Sequence, residues 1–307
     1  MQLIIKDVDI TASNQSMKVC KYTDYAGGHA DVLQIVFNDT YDLWRKWGLA
    51  KNDKIRVIKN DIDTGDMYIS KINIDTGYYA IRALSTPAKS LNESSGIREN
   101  IKLTEILSEL SKELGFTLKT YYIADYLYIY TERINQNPVS YLEQILMREG
   151  YLQKIFNNTL IISSEKILEN IRPKIIITYE DFINKPSFST SDANIIASVE
   201  NVYQHEKGLI RSYTPSGLFG KSKKYNFPVT SIGEGERYCK NIMRYYNKYE
   251  FTGEGNLSES KITAGITINL EGDFADWRGN NFVYEVTHDM LFDRQAVKFR
   301  KAIEGDY

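Results

Sequence analysis

The amino-acid sequence predicts an α+β protein in which two antiparallel β regions flank a small α/β module. The first ninety residues contain eleven acidic side chains, all Asp, a residue that favours turns and caps whereas Glu favours helix interiors. Two amphipathic helix patterns with glycine stops follow between residues 104 and 150, and alternating apolar runs return after residue 171. Because 307 residues suffice for two or three domains, we place domains at 1–90, 91–170 and 171–307.

In the N-terminal region, four short runs rich in Val, Ile and Tyr predict β-strands. Gly65 and Gly77 each follow an Asp-Thr pair and supply the positive φ that a tight hairpin needs. Residues 40–47 predict a short helix that ends at Gly48. The region is too short to bury both faces of a barrel or sandwich by itself, so we expect it to belong to an assembly. The predicted strands are 31–37, 54–59, 66–74 and 78–84.

The middle region begins with a polar stretch, 90–100, that predicts a linker or exposed loop. Residues 104–114 place four aliphatic side chains on one helix face, and Gly115 provides the left-handed stop. A second helix runs from Asn137-Pro138 to Glu149 and ends at Gly150. The predicted strands are 126–131, 151–156 and 159–163, the last two joined by an Asn157-Asn158 turn.

The C-terminal region predicts β structure with one helix and one long loop. The loop, 207–225, is rich in Gly, Ser and Lys, and the helix spans about 234–248. Alternating apolar runs on either side of these segments predict the strands. They are 174–178, 195–204, 262–270, 282–288 and 295–302.

The composition excludes several classes of protein. Lys and Arg number 38 and Asp and Glu number 40, a net charge of −2, whereas a dedicated nucleic-acid binder is strongly basic. No apolar run approaches the roughly 20 residues that span a bilayer, and no apolar signal segment begins the chain. The three histidines and two cysteines form no local zinc motif, although a dispersed site from Cys239, His205 and a carboxylate stays open. We therefore expect no catalytic, metal-binding or cofactor-binding residues.

The segment from Pro215 to Ser222 ends like a phosphate-binding loop but lacks its first glycine. Proline at that place has no N–H to offer a phosphate, and the following residues do not start a helix. We interpret the segment as a flexible surface loop with basic tips and an exposed aromatic ring, which is a candidate partner contact. Its candidate contact residues are Phe219, Lys221, Lys223 and Lys224.

Three further features are interpreted as structural. His288 ends a predicted strand and is expected to bond a neighbouring loop. The basic helix face is expected to be solvated, and it comprises Lys240, Arg244 and Lys248. The 23 tyrosines suit half-buried strands and protein interfaces. Among those expected to become buried only when subunits meet are Tyr238, Tyr245 and Tyr249.

Several motifs together resemble one known family. They are Leu43-Trp44-x-x-Trp47-Gly, Gly65-Asp-Met-Tyr-Ile-Ser, the helix that starts at Asn137-Pro138, and the segments 263–272 and 279–288. The combination resembles the baseplate hub family of contractile phage tails and tailocins, known as late control protein D, and its Gram-positive relatives. The motifs are structural and degenerate, and the resemblance covers nearly the whole chain.

The resemblance implies a homotrimer in which each subunit contributes two tube-like antiparallel β-barrel domains that flank the small α/β insert module. Such a ring adapts the hexameric tail tube to the trimeric spike and carries no catalytic residues. The implied partners are the tail tube protein, the central spike protein and other baseplate proteins, with the tape measure protein as a further candidate. The implied location is the virion tail or a tailocin particle, assembled in the bacterial cytoplasm.

Two alternatives stay open beside this interpretation. A tail-associated peptidoglycan-binding or cell-wall hydrolase component is motivated by acidic turns, where paired carboxylates could act. The candidate pairs are Glu234 with Glu236 and Glu271 with Asp273. Nucleotide binding through Lys221 is the weaker alternative. Relative to a minimal hub, the loop 207–225 is long, and no C-terminal hydrolase extension is present, which argues against a lytic hub.

Overall fold

A computed structural model describes residues 1–206, 208–258 and 262–303, and this part of the chain is mostly β with a few helices. The strands are β1 Gln2–Ile5, β2 Val8–Asp9, β3 Met17–Tyr25, β4 Val32–Asn38, β5 Lys54–Lys59, β6 Ile62–Asp63, β7 Met67–Asp75, β8 Tyr78–Leu84, β9 Ser94–Lys102, β10 Thr117–Tyr121, β11 Leu127–Gln136, β12 Tyr151–Phe156, β13 Thr159–Ser164, β14 Ile175–Ile177, β15 Ser187–Thr190, β16 Ile196–His205, β17 Gly208–Pro215, β18 Lys221–Tyr225, β19 Phe251–Ser258, β20 Thr267–Leu270, β21 Gly279–Asp289 and β22 Arg294–Lys301. The helices are α1 Leu43–Trp47, α2 Leu103–Leu114, α3 Pro138–Glu149, α4 Glu165–Asn170 and α5 Ile232–Asn247.

One 14-stranded sheet joins the N-terminal and C-terminal regions. Its order is β15-β19-β22-β21-β3-β4-β8-β7-β5-β1-β2, with β14, β20 and β6 attached beside this path. The junction is the antiparallel pair β3–β21, in which Tyr22 lies opposite His288. β3 is not among the predicted strands. The two predicted β regions therefore share one sheet, although the strands on each side of the junction pack on separate hydrophobic cores.

The short N-terminal helix forms as predicted and ends at Gly48, whose φ is 70°. Asp39 holds its start, because the two carboxylate oxygens accept the backbone N–H groups of Trp44 and Arg45 at 2.9 and 3.2 Å. The Trp44 ring stacks on Phe37 with ring centroids 3.7 Å apart, in the core of this region. The stack fixes the helix on the sheet.

In the central module both predicted helices are confirmed, and Gly115 and Gly150 end them at φ of 72° and 71°. Asn157 and Asn158 also adopt positive φ, as the predicted two-residue turn requires. The predicted linker at 90–100 is wrong over much of its length, because residues from Ser94 onward form β9, which pairs with β11. β9 is exposed along nearly all its length, so it lacks the apolar alternation that would have identified it.

The predicted loop 207–225 is also wrong for most of its length. Lys207 lies outside the described residues, but β17 and β18 both pair with β16 in a three-stranded sheet. The inward side chains of β17 include Ser212 and Thr214, small polar residues that give no apolar alternation. Strand pairing therefore replaces the flexible loop.

One hydrophobic core crosses the predicted boundary between the ranges 91–170 and 171–307. α2, α3 and β12–β13 share one core with β16 and α5. The central module is thus completed by residues 196–243, which the sequence assigned to the C-terminal β region. Within the described residues, no helix combines the length and apolar character needed to cross a bilayer.

Candidate partner interface

The predicted contact residues lie on β18 and in the connection that precedes it, at the edge of the small sheet formed by β16, β17 and β18. β17 is antiparallel to β16 and β18 is parallel to it, so Glu200 of β16 lies between Tyr213 and Lys224. α5 covers the other face of this sheet. The close approach requires Gly235, because a Cβ there would lie 2.2 Å from the Ser212 hydroxyl oxygen. One face of the sheet is therefore covered and the other is exposed.

The structure separates the four candidate residues into two kinds. Phe219 is 99% exposed in the connection between β17 and β18, and Lys221 is exposed at the start of β18. Lys224 Nζ lies 3.1 Å from a carboxylate oxygen of Glu200, and Lys223 Nζ lies 3.7 Å above the Tyr246 ring. Phe219 and Lys221 thus project into solvent, whereas the other two lysines contact the chain itself.

The phosphate-loop resemblance ends at Lys221, because the residues after it form β18. A phosphate-binding loop places a helix there, and the N–H groups at the helix start hold the phosphate. The parallel pairing of β18 with β16 provides no such helix. The geometry gives no support to nucleotide binding at this segment.

The described residues contain no cluster of three or more His, Cys, Asp or Glu side chains arranged to hold a metal ion. Cys20 and Cys239 are both buried free thiols, and burial raises their pKa to about 12 and about 11. Such thiols are poor nucleophiles because the thiolate is disfavoured. The two cysteines therefore offer no reactive group.

The candidate carboxylate pairs occupy structural or exposed positions. Glu234 stabilises the start of α5 by accepting hydrogen bonds from Thr230 and from the hydroxyl of Tyr238. Glu236, on the same helix, is exposed. Glu271 and Asp273 are exposed beyond the end of β20.

His288 is a buried residue of the sheet junction. Its Nδ1 lies 2.9 Å from the Gln295 amide nitrogen on the neighbouring strand, and its ring stacks on Tyr22 with centroids 5.8 Å apart. His288 thus has a structural role, and its contact with Gln295 crosses to the neighbouring strand β22. The stack reinforces the β3–β21 pairing.

The predicted solvated helix face is wrong for two of its three residues. Lys240 is exposed, but Arg244 and Lys248 are buried in an ion-pair cluster. Arg244 binds Glu169, and Lys248 Nζ lies 2.9 Å from Glu165. The partners belong to α4, a helix that the sequence pattern did not predict, so the spacing on α5 alone could not reveal them.

Arg300 of β22 completes this cluster and is fully buried. Its guanidinium binds Glu169 and lies 2.8 Å from Glu165. Burial by itself raises the pKa of Glu165, but the Lys248 and Arg300 cations outweigh it and lower that pKa to about 2. The cluster joins α4, α5 and β22, and thereby fixes the central module to the C-terminal strands.

A second charged cluster joins the central module to both β regions. Lys154 of β12 binds Asp24 of β3, and its Nζ lies 3.7 Å from Asp31. Asp24 also accepts the backbone N–H of Ala264 at 2.8 Å. Burial raises the pKa of Asp31 to about 6, although Lys154 opposes this shift. The predicted motifs included none of the three charged residues Asp24, Asp31 and Lys154, because Lys154 lies more than 120 residues from both carboxylates in sequence.

The three tyrosines that were expected to become buried only between subunits differ in their exposure. Tyr238 is fully buried within the single chain, so the expectation that its burial needs a second subunit is wrong. Its ring lies in the core shared by α3 and α5. Tyr249 is exposed and Tyr245 is half-buried. These two rings leave surface that a partner could cover.

Several solved structures share this fold. A 43 kDa tail protein of prophage MuSo2 from Shewanella oneidensis is 11% identical, with a TM-score of 0.77 and 98% of each chain covered. A tail protein from Neisseria meningitidis is 7% identical, with a TM-score of 0.76, covering 98% of this chain and 95% of that one. The Escherichia coli protein c3393 is 10% identical, with a TM-score of 0.59, covering 100% and 79%.

The c3393 protein is described as a component of the type VI secretion system with structural similarity to the T4 bacteriophage tail proteins gp27 and gp5. No protein-family model matches the present sequence, and no curated protein does either. The similarity is therefore one of structure at low sequence identity, and it extends over almost the whole length of both tail proteins. The chain has the fold of phage tail proteins.

Proposed function

We propose that this chain is a structural baseplate hub of a contractile phage tail or phage-tail-like bacteriocin. Three copies form a ring that adapts the hexameric tail tube to the trimeric spike. The observation that carries the proposal is the end-to-end fold correspondence with two phage tail proteins, in which both β regions and the module between them are matched together. The similarity to a type VI secretion component points to the same class of contractile machine.

The arrangement of strands supports assembly into a ring. β15 and β2 lie at the ends of the 14-stranded order, and β17 and β18 are the outer strands of the small sheet. Outer strands present unpaired N–H and C=O groups, and proteins pair or cover them. In the proposed trimer each of the two sheet cores forms a tube-like barrel domain, and the six barrels present a six-fold surface to the tube.

The internal ion pairs suit a part that transmits force. The Glu169–Arg300 pair and the Asp24–Lys154 pair hold the central module to the β strands on both sides. A hub must keep its domains in register while the tail contracts. The buried charges provide this because separating them would expose unpaired charges within the protein.

Phe219 and Lys221 are the proposed contacts with another tail component, because Phe219 is 99% exposed and Lys221 is exposed beside it. The proposed partners are the tail tube protein, the central spike protein and other baseplate proteins. The role is non-enzymatic, in keeping with the buried thiols and the structural use of Glu234. The hydrolase alternative gains no support from the carboxylates that motivated it.

The test is the stoichiometry and symmetry of the assembled particle. The protein is co-expressed with its neighbouring tail components, and native mass spectrometry and electron cryomicroscopy determine the copy number at the tail tip. Three copies between tube and spike are expected. A monomer that joins neither component, or a six-copy ring, would overturn the proposal.

A paired variant tests the contact surface. Phe219→Asp combined with Lys221→Glu is expected to reduce incorporation into the particle by at least about tenfold without changing the thermal midpoint. Lys71→Glu, another exposed charge reversal, is the matched control because Lys71 lies on β7 away from this connection. Equal incorporation of the paired variant and the control would refute the contact assignment and leave the hub proposal intact.

A further inference from the structure

A groove with exposed aromatic side chains lies on the N-terminal β region, away from the β17–β18 connection. One wall is the short 3₁₀ turn Thr11–Ser16, and the other is the segment 38–47 that leads into α1. The groove encloses about 570 Å³, within the range of roughly 300–1,000 Å³ for small-molecule sites. The resemblance and the proposed hub role assign no function to it.

Trp47, the aromatic side chain at the end of this groove, is fixed in position by its contact with Trp44. Trp47 is 37% exposed and rests on Trp44, with ring centroids 5.7 Å apart. Trp44 is itself stacked in the core on Phe37, and its indole N–H donates to the Ser16 hydroxyl at 3.3 Å. This hydrogen bond ties the two walls together. The accessible face of Trp47 is therefore preorganised.

Two further large side chains project beside Trp47. Tyr41 is 78% exposed and Leu43 is 66% exposed. Asp42 between them adopts a φ of 55°, in the left-handed region that few non-glycine residues enter. A backbone conformation of this kind is maintained by its surroundings, and it presents Tyr41 and Leu43 on the same short segment. Large apolar groups held in solvent next to one another are typical of a binding surface.

The polar groups of the groove are almost all neutral. They come from Ser13, Gln15, Asn38 and Thr40, and the described lining contains no lysine, arginine or histidine. The one carboxylate, Asp39, is buried and already accepts two backbone N–H groups. The Gln15 amide is exposed, and the Thr40 hydroxyl donates to the Asn38 side-chain oxygen at 3.0 Å. The groove thus offers neutral donors and acceptors and no charge for an ionic ligand.

We propose that this groove binds a neutral oligosaccharide. A pyranose ring has one apolar C–H face, which fits against Trp47 or Tyr41. Its rim of hydroxyls fits the exposed Gln15 amide and the N–H₂ group of Asn38, whose oxygen already accepts the Thr40 hydroxyl. A phosphate or carboxylate ligand would lack a cation to pair with. A lipid chain would leave the polar groups unpaired. The proposal of a glycan site does not rest on trimer formation or on the proposed hub role.

The test measures binding by isothermal titration calorimetry with N-acetylchitotetraose and maltotetraose as neutral probes and tetragalacturonate as the anionic probe. At least one neutral probe is expected to bind with a Kd below about 1 mM, and the anionic probe at least about tenfold more weakly. Trp47→Ala and Tyr41→Ala are each expected to weaken binding about tenfold, and Gln15→Ala severalfold. Phe292→Ala is the matched control because it removes an exposed aromatic ring that does not line this groove.

Thermal midpoints of the variants distinguish lost binding from lost folding. Tyr41 is largely exposed, so Tyr41→Ala keeps the test usable if Trp47→Ala fails to fold. Three outcomes would overturn the proposal: no binding of either neutral probe up to about 10 mM, equal binding by folded Tyr41→Ala and the wild type, or preference for the anionic probe. Protection of Trp47 by a purified tail protein, without any saccharide binding, would assign the groove to a protein partner instead.

Discussion

Replacing Glu169 by Gln should destabilise the protein strongly, because this buried carboxylate holds two of the three cations in the ion-pair cluster. Glu169 accepts hydrogen bonds from Arg244 at 2.5 Å, from Arg300, and from the backbone N–H of Ile303 at 2.8 Å. Glutamine keeps the volume but offers one acceptor oxygen and turns an N–H₂ group toward the guanidinium donors. Three buried cations would then share one carboxylate, that of Glu165.

The size of the effect follows from the contacts that are lost. A hydrogen bond to a charged group contributes about 1.5–3 kcal/mol, and the bonds from Arg244 and Arg300 both lose their charged acceptor, which gives about 3–6 kcal/mol together. Breaking one side of a buried ion pair costs about 3–5 kcal/mol. The two ranges overlap at about 3–5 kcal/mol, which is the expected loss in the free energy of unfolding for Glu169→Gln.

Urea unfolding followed by circular dichroism measures this loss, with Glu132→Gln as the control. Glu132 is exposed and accepts a hydrogen bond from Tyr130, so its replacement should change the free energy of unfolding by less than about 0.5 kcal/mol. A double-mutant cycle of Glu169→Gln with Arg300→Met should reveal a coupling energy of at least about 1 kcal/mol. A loss below about 1 kcal/mol for Glu169→Gln, or strict additivity in the cycle, would refute the argument.

Three further outcomes are expected. Gly150→Ala should lower the free energy of unfolding by more than Gly48→Ala, which should cost about 1 kcal/mol. Both glycines end helices at φ near 70°, but of the two only a Cβ at position 150 would meet a neighbour, an asparagine oxygen 2.8 Å away. Equal losses for the two variants in urea unfolding would contradict this expectation. Cys20 and Cys239 should react with a thiol reagent at pH 8 only after unfolding, and a rapid phase in the folded protein would show an accessible thiolate. The pKa of Glu165 is about 2 in the folded protein and about 4.3 in the unfolded chain. Its contribution to stability should therefore be complete above the unfolded pKa and be lost as the pH falls through the folded pKa. Glu165→Gln should abolish part of the slope of stability against pH between these two pKa values.

The local elements of this protein were predictable from sequence because their causes are local. The helices α2 and α3 follow from apolar spacing and from Gly115 and Gly150, whose left-handed conformation stops each helix. The turn at Asn157-Asn158 and the strands β5, β8 and β12 follow from short-range patterns in the same way. Each of these signals lies within about a dozen residues of the element that it specifies.

Strands that are polar or nearly fully exposed escaped prediction. β9 and β18 carry few inward apolar side chains, so pairing with β11 and β16 defines them instead of burial. A hydrogen-bonded ladder leaves no periodic trace in a sequence when both faces of the strand are wet. The segments therefore appeared as a linker and a loop.

What the sequence by itself determined is the class of protein: a β-rich chain with a small helical module, no local metal motif and no catalytic signature. Tertiary structure alone decided how the parts join. The pairing of β3 with β21 merges two regions more than 250 residues apart, and the cluster of Glu169, Arg244 and Arg300 unites three elements. Such contacts form between residues that are distant in sequence and meet only in the folded chain. A charged residue on a helix is buried when a distant partner packs against it, and the residues next to it in sequence do not reveal that partner.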